Sequence, residues 1–187
     1  YDPYGRESEI WLPSTGNGNG AFVAHSALQS NAASLYSDAN PFSSKAYEAR
    51  PQARIISSYG PGQAWRNASA NVTLEYSTNS STGNLQCRRL KVTGTRYNHN
   101  LVDQGIYGQG ELQVIKSTDE DGRSTFEFKD AEGRTILERT AGADTYYVYD
   151  DFGNLCYVMS PEGIKSWMEG KQLHAIEAFT YQYRYDE

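Results

Sequence analysis

Alternation of apolar and polar positions dominates the second half of the chain. The stretch from Ser117 to Tyr157 reads STDEDGRSTFEFKDAEGRTILERTAGADTYYVYDDFGNLCY. Its two-residue period predicts strands near 111–118, 123–129, 134–140, 145–149 and 154–159. Phe126 and Phe128 fall on one face, with Thr125, Glu127 and Lys129 on the other, so that strand has a wet side. Around Tyr146-Tyr147-Val148-Tyr149 and Leu155-Cys156-Tyr157-Val158 both faces are apolar. Those two strands call for cover on both sides, from the N-terminal part of the chain or from the helix that follows.

Between the strands an Asp recurs three residues before a Gly: Asp119 and Gly122, Asp130 and Gly133, Asp150 and Gly153. Asp2 and Gly5 repeat the spacing near the start. Asp suits the first position of a type I turn, where its carboxylate accepts a bond from the backbone N–H two residues on. Gly suits the left-handed residue that closes the turn with a G1 bulge. These eight residues are therefore read as structural turn residues, and the strands between them as a meander of hairpins.

The rest of the chain is less regular. ESEIWL (7–12) alternates enough for a strand, and PSTGNGNG (13–20) reads as a loop. Ser26 with Gln29 fits a capping box, and Leu28, Ala32, Leu35 and Tyr36 then share a helix face that ends by Asn40-Pro41. Phe42 to Tyr59 reads as short strands or irregular segments broken at Pro51. Gly60-Pro61-Gly62 is a turn, and Trp65 after it is expected to anchor the core. NVTLEY (71–76) is a strand, Ser77 to Gly83 a polar turn, and LQCRRLKV (85–92) the returning strand of a hairpin. Thr93 to Gly110 is left mostly as loop. Ser160, Pro161 and Glu162 open a well-marked helix, expected over 161–178 with a stop or bend at Gly170 that would make a second short helix of the part around Leu173 and Ile176. TYQYRYD (180–186) returns to strand, with Tyr181, Tyr183 and Tyr185 on one face. The fold class is mainly β, a β-rich α+β chain: an antiparallel meander with one or two short helices packed on it. The 187 residues are expected to form a single module, with a loop-rich lobe over 1–110 and the meander over 111–187.

Composition sharpens this picture. Only 38% of residues are hydrophobic, and 15 Tyr and 17 Gly stand in for the missing aliphatics, which suits turn-rich β structure. The net charge of -6 disfavours a nucleic-acid partner. No apolar run has the length of a membrane helix, so membrane insertion is not expected. Cys87 and Cys156 fit either one long-range disulfide or two free buried thiols.

Candidate chemistry is sparse. Asp150-Asp151 could act as paired carboxylates, but a turn hub beside an exposed turn position accounts for both. TDEDG (118–122) has the oxygens of a calcium loop without its length or closing Glu. His25, His99 and His174 sit in unrelated contexts. GNGNG (16–20) lacks the strand-to-helix setting of a phosphate loop. Asn67, Asn71 and Asn79 begin N-x-S/T sequons, which matter only in a eukaryotic secretory pathway. No catalytic residue, metal ligand or cofactor is assigned. The one substantive alternative is sugar stacking on exposed tyrosine rows, with Tyr147, Tyr149, Tyr181, Tyr183 and Tyr185 as candidates; the competing expectation is that such rows bury their rings.

YDPYGR, FEFKDAEGR, YYVYDDFGN and the closing YRYD resemble YD repeats of RHS-type proteins, and the whole chain resembles a module preceding or within the YD repeats of large RHS-repeat proteins of Bacteroides-like bacteria. The resemblance implies hairpins that contribute to a spiral β shell, as in bacterial toxin complexes, polymorphic toxins and teneurins. It implies a non-enzymatic scaffold, exported or at the bacterial cell surface, as a fragment of a larger chain. Its partners would be neighbouring YD repeats of the same chain, with glycans or an encapsulated C-terminal domain as further candidates. Some RHS cores cleave themselves at a D-P-x-G-L motif; Asp2-Pro3-Tyr4-Gly5 matches in part, but Arg6 replaces the Leu, so cleavage at this site is not expected, and a part in a self-processing polymorphic toxin stands as an alternative that the resemblance implies.

Overall fold

The computed structural model describes residues 1–16, 20–95, 98–170 and 177–185. Among these residues it is mainly β, with antiparallel pairing and three α-helices. Two compact units emerge: Tyr1–Leu74 with Ser117–Gly122, and Glu75–Lys116 with Arg123–Glu187. Residues 75–110 thus group with the meander and not with the N-terminal residues.

The first unit contains β1 (Glu9–Trp11), α1 (His25–Tyr36), β2 (Phe42–Tyr47), β3 (Ile55–Tyr59), α2 (Gln63–Asn67) and the start of β4 (Val72–Thr78), with strand order β1-β2-β3-β4. Of the two readings of 42–59, short strands hold: they pair as a hairpin, Ser44 with Tyr59 and Ala46 with Ser57, and the seven residues 48–54 around Pro51 make the connection. The capping box at Ser26 does not form. The cap of α1 is Ala24, which offers no side-chain bond, and Ser26 lies inside the helix. Of the expected apolar face only Ala32 is buried, while Leu35 and Tyr36 are exposed. Trp65 is not a core anchor either: it lies on the short α2 and is 45% exposed.

Arg66, one residue on, does more to tie this unit together. Its guanidinium lies 4.4 Å from the Phe42 ring centre and 5.6 Å from that of Tyr59. It donates to the carbonyls of Phe42 (3.1 Å) and Gly62 (3.2 Å) and to Ser44 Oγ (3.1 Å). Trp11 stacks on the same Phe42 ring, with ring centres 4.5 Å apart. Asp38 accepts from the backbone N–H of Gln63 at the start of α2 and from that of Asn40.

The second unit holds β5 (Arg88–Thr95) and β6 (Asn98–Ile106), which form a separate two-stranded sheet, and the meander β7 (Gln113–Thr118, up to Lys116), β8 (Ser124–Lys129), β9 (Thr135–Thr140), β10 (Ala143–Tyr149), β11 (Leu155–Met159) and β12 (Thr180–Gln182), paired in chain order. The five expected meander strands are present within two residues at each end. Two other expectations are corrected. The segment after Leu85 pairs with β6 and not with β4, and β6 fills half of the 93–110 stretch expected as loop. Four Gly in 93–110 obscured the strand; Gly94 and Gly105 sit within the hairpin at positive φ.

Register explains the core. Phe128 faces Leu137, Leu137 faces Tyr146, and Tyr146 faces Met159, so one row of side chains crosses four strands and every member is buried. Leu112, Val114, Val92, Leu101, Cys87 and Ile164 close over it. The neighbouring row, Tyr147–Val158–Tyr181, points to the opposite face and is only partly covered. Helix α3 (Pro161–Met168) packs on β10 and β11 with Ile164 and Ser166 buried. Ser160 caps it as expected, accepting from Gly163 N at 3.3 Å. It stops at Gly170 as expected: Glu169 is its C-cap and Gly170 turns left-handed, so α3 itself covers only the first part of 161–178. The second helix expected around Leu173 and Ile176 lies outside the described residues. Cys87 and Cys156 are both free and buried.

Candidate functional site

Each Asp–Gly pair sits at a turn whose Gly has a left-handed φ: 76° at Gly5, 79° at Gly122, 81° at Gly133 and 86° at Gly153. Three of these turns share one set of bonds. At Asp130, Oδ1 accepts from the N–H groups of Glu132 (3.1 Å) and Arg134 (2.9 Å), while Oδ2 accepts from Arg134 Nε (2.7 Å). The Gly133 N–H returns to the Asp130 carbonyl (3.1 Å), and the Asp130 N–H to that of Arg134 (3.0 Å). Asp2 repeats this with Tyr4, Gly5 and Arg6, and Asp150 with Phe152, Gly153 and Asn154, whose Nδ2 takes the place of the guanidinium at 3.0 Å. At Asp119, Oδ1 accepts from Asp121 N (3.0 Å) and Gly122 N closes the turn.

The sequence reading missed the fifth residue of this motif. Alternation alone opens the next strand on the Arg or Asn after the Gly; that residue is part of the turn, and the strands start at Thr135 and Leu155. A disguised relative was missed as well. Glu48 accepts from Arg54 Nε (2.7 Å), Nη2 (3.0 Å) and the Arg54 N–H (3.3 Å), its own N–H donates to the Arg54 carbonyl (2.9 Å), and Ala53 stands at φ 51° where the other turns have Gly. Across β9 and β10, Arg139 and Asp144 form the same two-pronged pair at 2.7 and 2.6 Å.

These contacts set the electrostatics. Loss of solvent pushes the Asp2 carboxyl up, but the bonds from the Arg6 side chain and from the Arg6 and Tyr4 backbone outweigh it and leave it below its ordinary value. The side-chain bond from Arg54, aided by its backbone N–H, holds Glu48 down against desolvation. Asp150 and Asp151 do not act as a carboxylate pair. Asp150 spends its oxygens on the turn, and Asp151 pairs with Lys91 at 3.0 Å.

A cleft of about 730 Å³ opens in the second unit beside the Asp130 and Asp150 turns. Tyr107, Tyr147, Tyr149 and Phe152 line it together with Arg89, Lys91 and Arg134. Its cations are matched: Arg89 with Glu111, Lys91 with Asp151, Arg134 with Asp130 and Glu132. Two rings are also covered from within, Tyr107 by Arg89 at 4.5 Å and Tyr149 by Arg134 at 5.0 Å. Burial, then the bond to Glu138, pushes the Tyr147 phenol up to about 12, and burial raises Tyr107 and Tyr149. The lining therefore offers neutral phenols, balanced ion pairs and the exposed Phe152 ring. It can hold a neutral polar ligand against aromatic edges.

Of the five candidate tyrosines, the cleft takes Tyr147 and Tyr149. Tyr181, Tyr183 and Tyr185 do not line it and are exposed, Tyr181 at 70%, so this row does not bury its rings as expected. Asn79, first residue of a sequon, is buried and pinned: it donates to the Gly108 carbonyl at 2.8 Å and accepts from Leu112 N at 2.8 Å. Among the described residues no three His, Cys, Asp or Glu side chains converge as metal ligands, and no helix is long and apolar enough to cross a membrane.

Among known proteins, no curated sequence and no solved structure matches the chain. A family model described as a domain of unknown function, DUF6443, matches residues 1–78, the stretch that holds the Asp2 and Glu48 turns.

Proposed function

We propose that this chain is a non-enzymatic structural module of a large exported RHS/YD-repeat protein and contributes to a β-sheet shell or surface scaffold. The observation that carries this reading is the recurrence of one bonded turn at Asp2, Asp130 and Asp150. A turn whose carboxylate is consumed by its own backbone and by the following Arg or Asn is built to set hairpin geometry, with no oxygen left over for chemistry. Repetition of such a unit suits an extended sheet in which strands are added in series. The test is a chain lengthened at its C-terminus by a second copy of residues 124–159. The added copy is expected to merge into one cooperative unfolding transition at a raised Tm. Independent melting of the copy at lower temperature would remove this reading.

A second reading, a carbohydrate-binding module using tyrosine rows, is favoured by the exposure of Tyr181, Tyr183 and Tyr185 and by the neutral polar lining around Tyr147 and Tyr149. Chemical-shift or fluorescence titration with neutral oligosaccharides distinguishes it. Saturable binding lost in Tyr147→Ala or Tyr181→Ala favours the sugar reading, and a flat titration eliminates it.

A further inference from the structure

The guanidinium of a turn has a second contact. In the first unit, Arg6 lies 4.6 Å from the ring centre of Tyr47. Tyr47 immediately precedes Glu48, the hub of another turn of the same kind. In the second unit, Arg134 lies 5.0 Å from the ring centre of Tyr149, which immediately precedes Asp150. Arg134 also rests against Gly153, where an added Cβ would meet Nη1 at 3.1 Å. In both units the tyrosine before a hub carboxylate is the landing place for the Arg of an earlier turn. The Tyr–carboxylate pair thus joins one turn to another through a cation–π contact.

Position 154 departs from this pattern. Asn154 satisfies Asp150 as Arg134 satisfies Asp130, but it carries no charge and its amide ends at that bond. The next Tyr–Asp pair in the chain is Tyr185-Asp186. Tyr185 is attached by its hydroxyl, which donates to the Leu155 carbonyl at 2.9 Å. The strand before it is lightly held. β12 pairs three residues with β11, preceded by a bond from Ser160 N to the Phe179 carbonyl (3.1 Å) and followed by one from Tyr183 N to the Cys156 carbonyl (2.9 Å). One side-chain bond joins Gln182 to the Tyr157 hydroxyl (3.0 Å). The Thr180 hydroxyl is buried with no hydrogen-bond partner, an arrangement that works against the attachment.

We propose that Asn154 is a built-in weak link: β12 and the segment through Tyr185 leave the sheet as one unit while β8–β11 stays folded. Release bares the hydrogen-bonding edge of β11. The inference does not depend on the scaffold reading, because it concerns only how one strand is fastened.

Amide hydrogen exchange of the full chain under native conditions tests it. The amides of Tyr181 and Tyr183, which lie at the hydrogen-bonded pairs with β11, are expected to exchange at least about tenfold faster than those of Leu137 and Val148, as a shared sub-global opening requires. Asn154→Arg restores the stacking partner and is expected to slow β12 exchange about two- to fivefold, the factor an exposed cation–π contact supplies, with Leu137 and Val148 unchanged. In a Tyr185→Leu background that slowing should vanish. Equal protection of β12 and β10 in the parent chain overturns the proposal, and so does slowing by Asn154→Arg that persists without the Tyr185 ring. If the Asn154→Arg chain does not fold, Asn154→Lys supplies the cation without the forked donor, and the same two outcomes decide.

Discussion

The two compact units are held together by different means. In the second, a continuous row of buried side chains, Phe128, Leu137, Tyr146 and Met159, crosses four strands, and Leu112, Val114 and Ile164 cover it. In the first, the fully buried side chains are the small ones of Ala32 and Pro41. There the cohesion lies in Arg66 between Phe42 and Tyr59, in the Trp11–Phe42 stack and in the Asp2 and Glu48 turns. Burial of apolar surface is non-directional and grows with area. Guanidinium forks and stacked rings are directional, and where exposed they are individually weak. The meander should therefore tolerate the loss of any one polar contact better than the loss of one core side chain, and the first unit should show the reverse.

The largest effect should come from Phe128→Ala. Removing a fully buried ring from the centre of the row is expected to cost about 3–5 kcal/mol, read as a lowered urea midpoint at Trp167, the tryptophan of the second unit. If the midpoint moves by much less, the row is not the centre of stability. Next comes Arg66→Ala, which deletes bonds to Phe42, Gly62 and Ser44 together with two ring contacts. Its expected cost is about 1.5–3 kcal/mol, the scale of hydrogen bonds to a charged group, seen through Trp11 and Trp65. Arg66→Lys should recover only part of it, since an ammonium cannot fork to several acceptors. No response of Trp11 and Trp65 would undo the contrast between the units.

The smallest effect is acid sensitivity of the first unit. The carboxyls of Asp2 and Glu48 are held below their ordinary values of 3.8 and 4.5 in the folded chain. For a depressed carboxyl the stabilisation is fully present above the unfolded value and is lost as pH falls through the folded one. Lowering pH from about 5 toward 3 should weaken the first unit, and Asp2→Asn with Glu48→Gln should flatten that dependence. Titration of the urea midpoint, followed at Trp11 and Trp65, gives the answer; a slope unchanged in the double variant would assign acid sensitivity elsewhere.

The meander was legible because two local rules agreed. Alternation placed the strands, and the Asp and Gly of each turn fixed where the chain reverses, so a local reading captured pairings that are also local. The hairpin of β5 and β6 was hidden because four glycines read as loop, although a glycine inside a paired strand can mark a bulge or bend. The β2–β3 turn was hidden because Glu48, Arg54 and Ala53 reproduce the bonded arrangement with other residue types and a longer connection. Trp65 was misplaced because size and hydrophobicity say that a ring gains by burial, not that a neighbour will supply the cover. The cleft was illegible for a related reason: Tyr107 and Arg89 come from one part of the chain and Tyr149 and Phe152 from another, with no spacing rule connecting them.

The sequence by itself determined what depends on a residue and its near neighbours: strands, turn positions, the cap at Ser160 and the alternation that gives the meander two faces. Only the tertiary structure decided which face is covered, that Arg66 does the work expected of Trp65, and that the Arg of one turn stacks on the tyrosine of another. A hydrogen-bonded turn closes over a few residues, and its chemistry is written there. Burial and stacking are set by whichever distant segment arrives at that surface, and that arrival is a property of the folded chain.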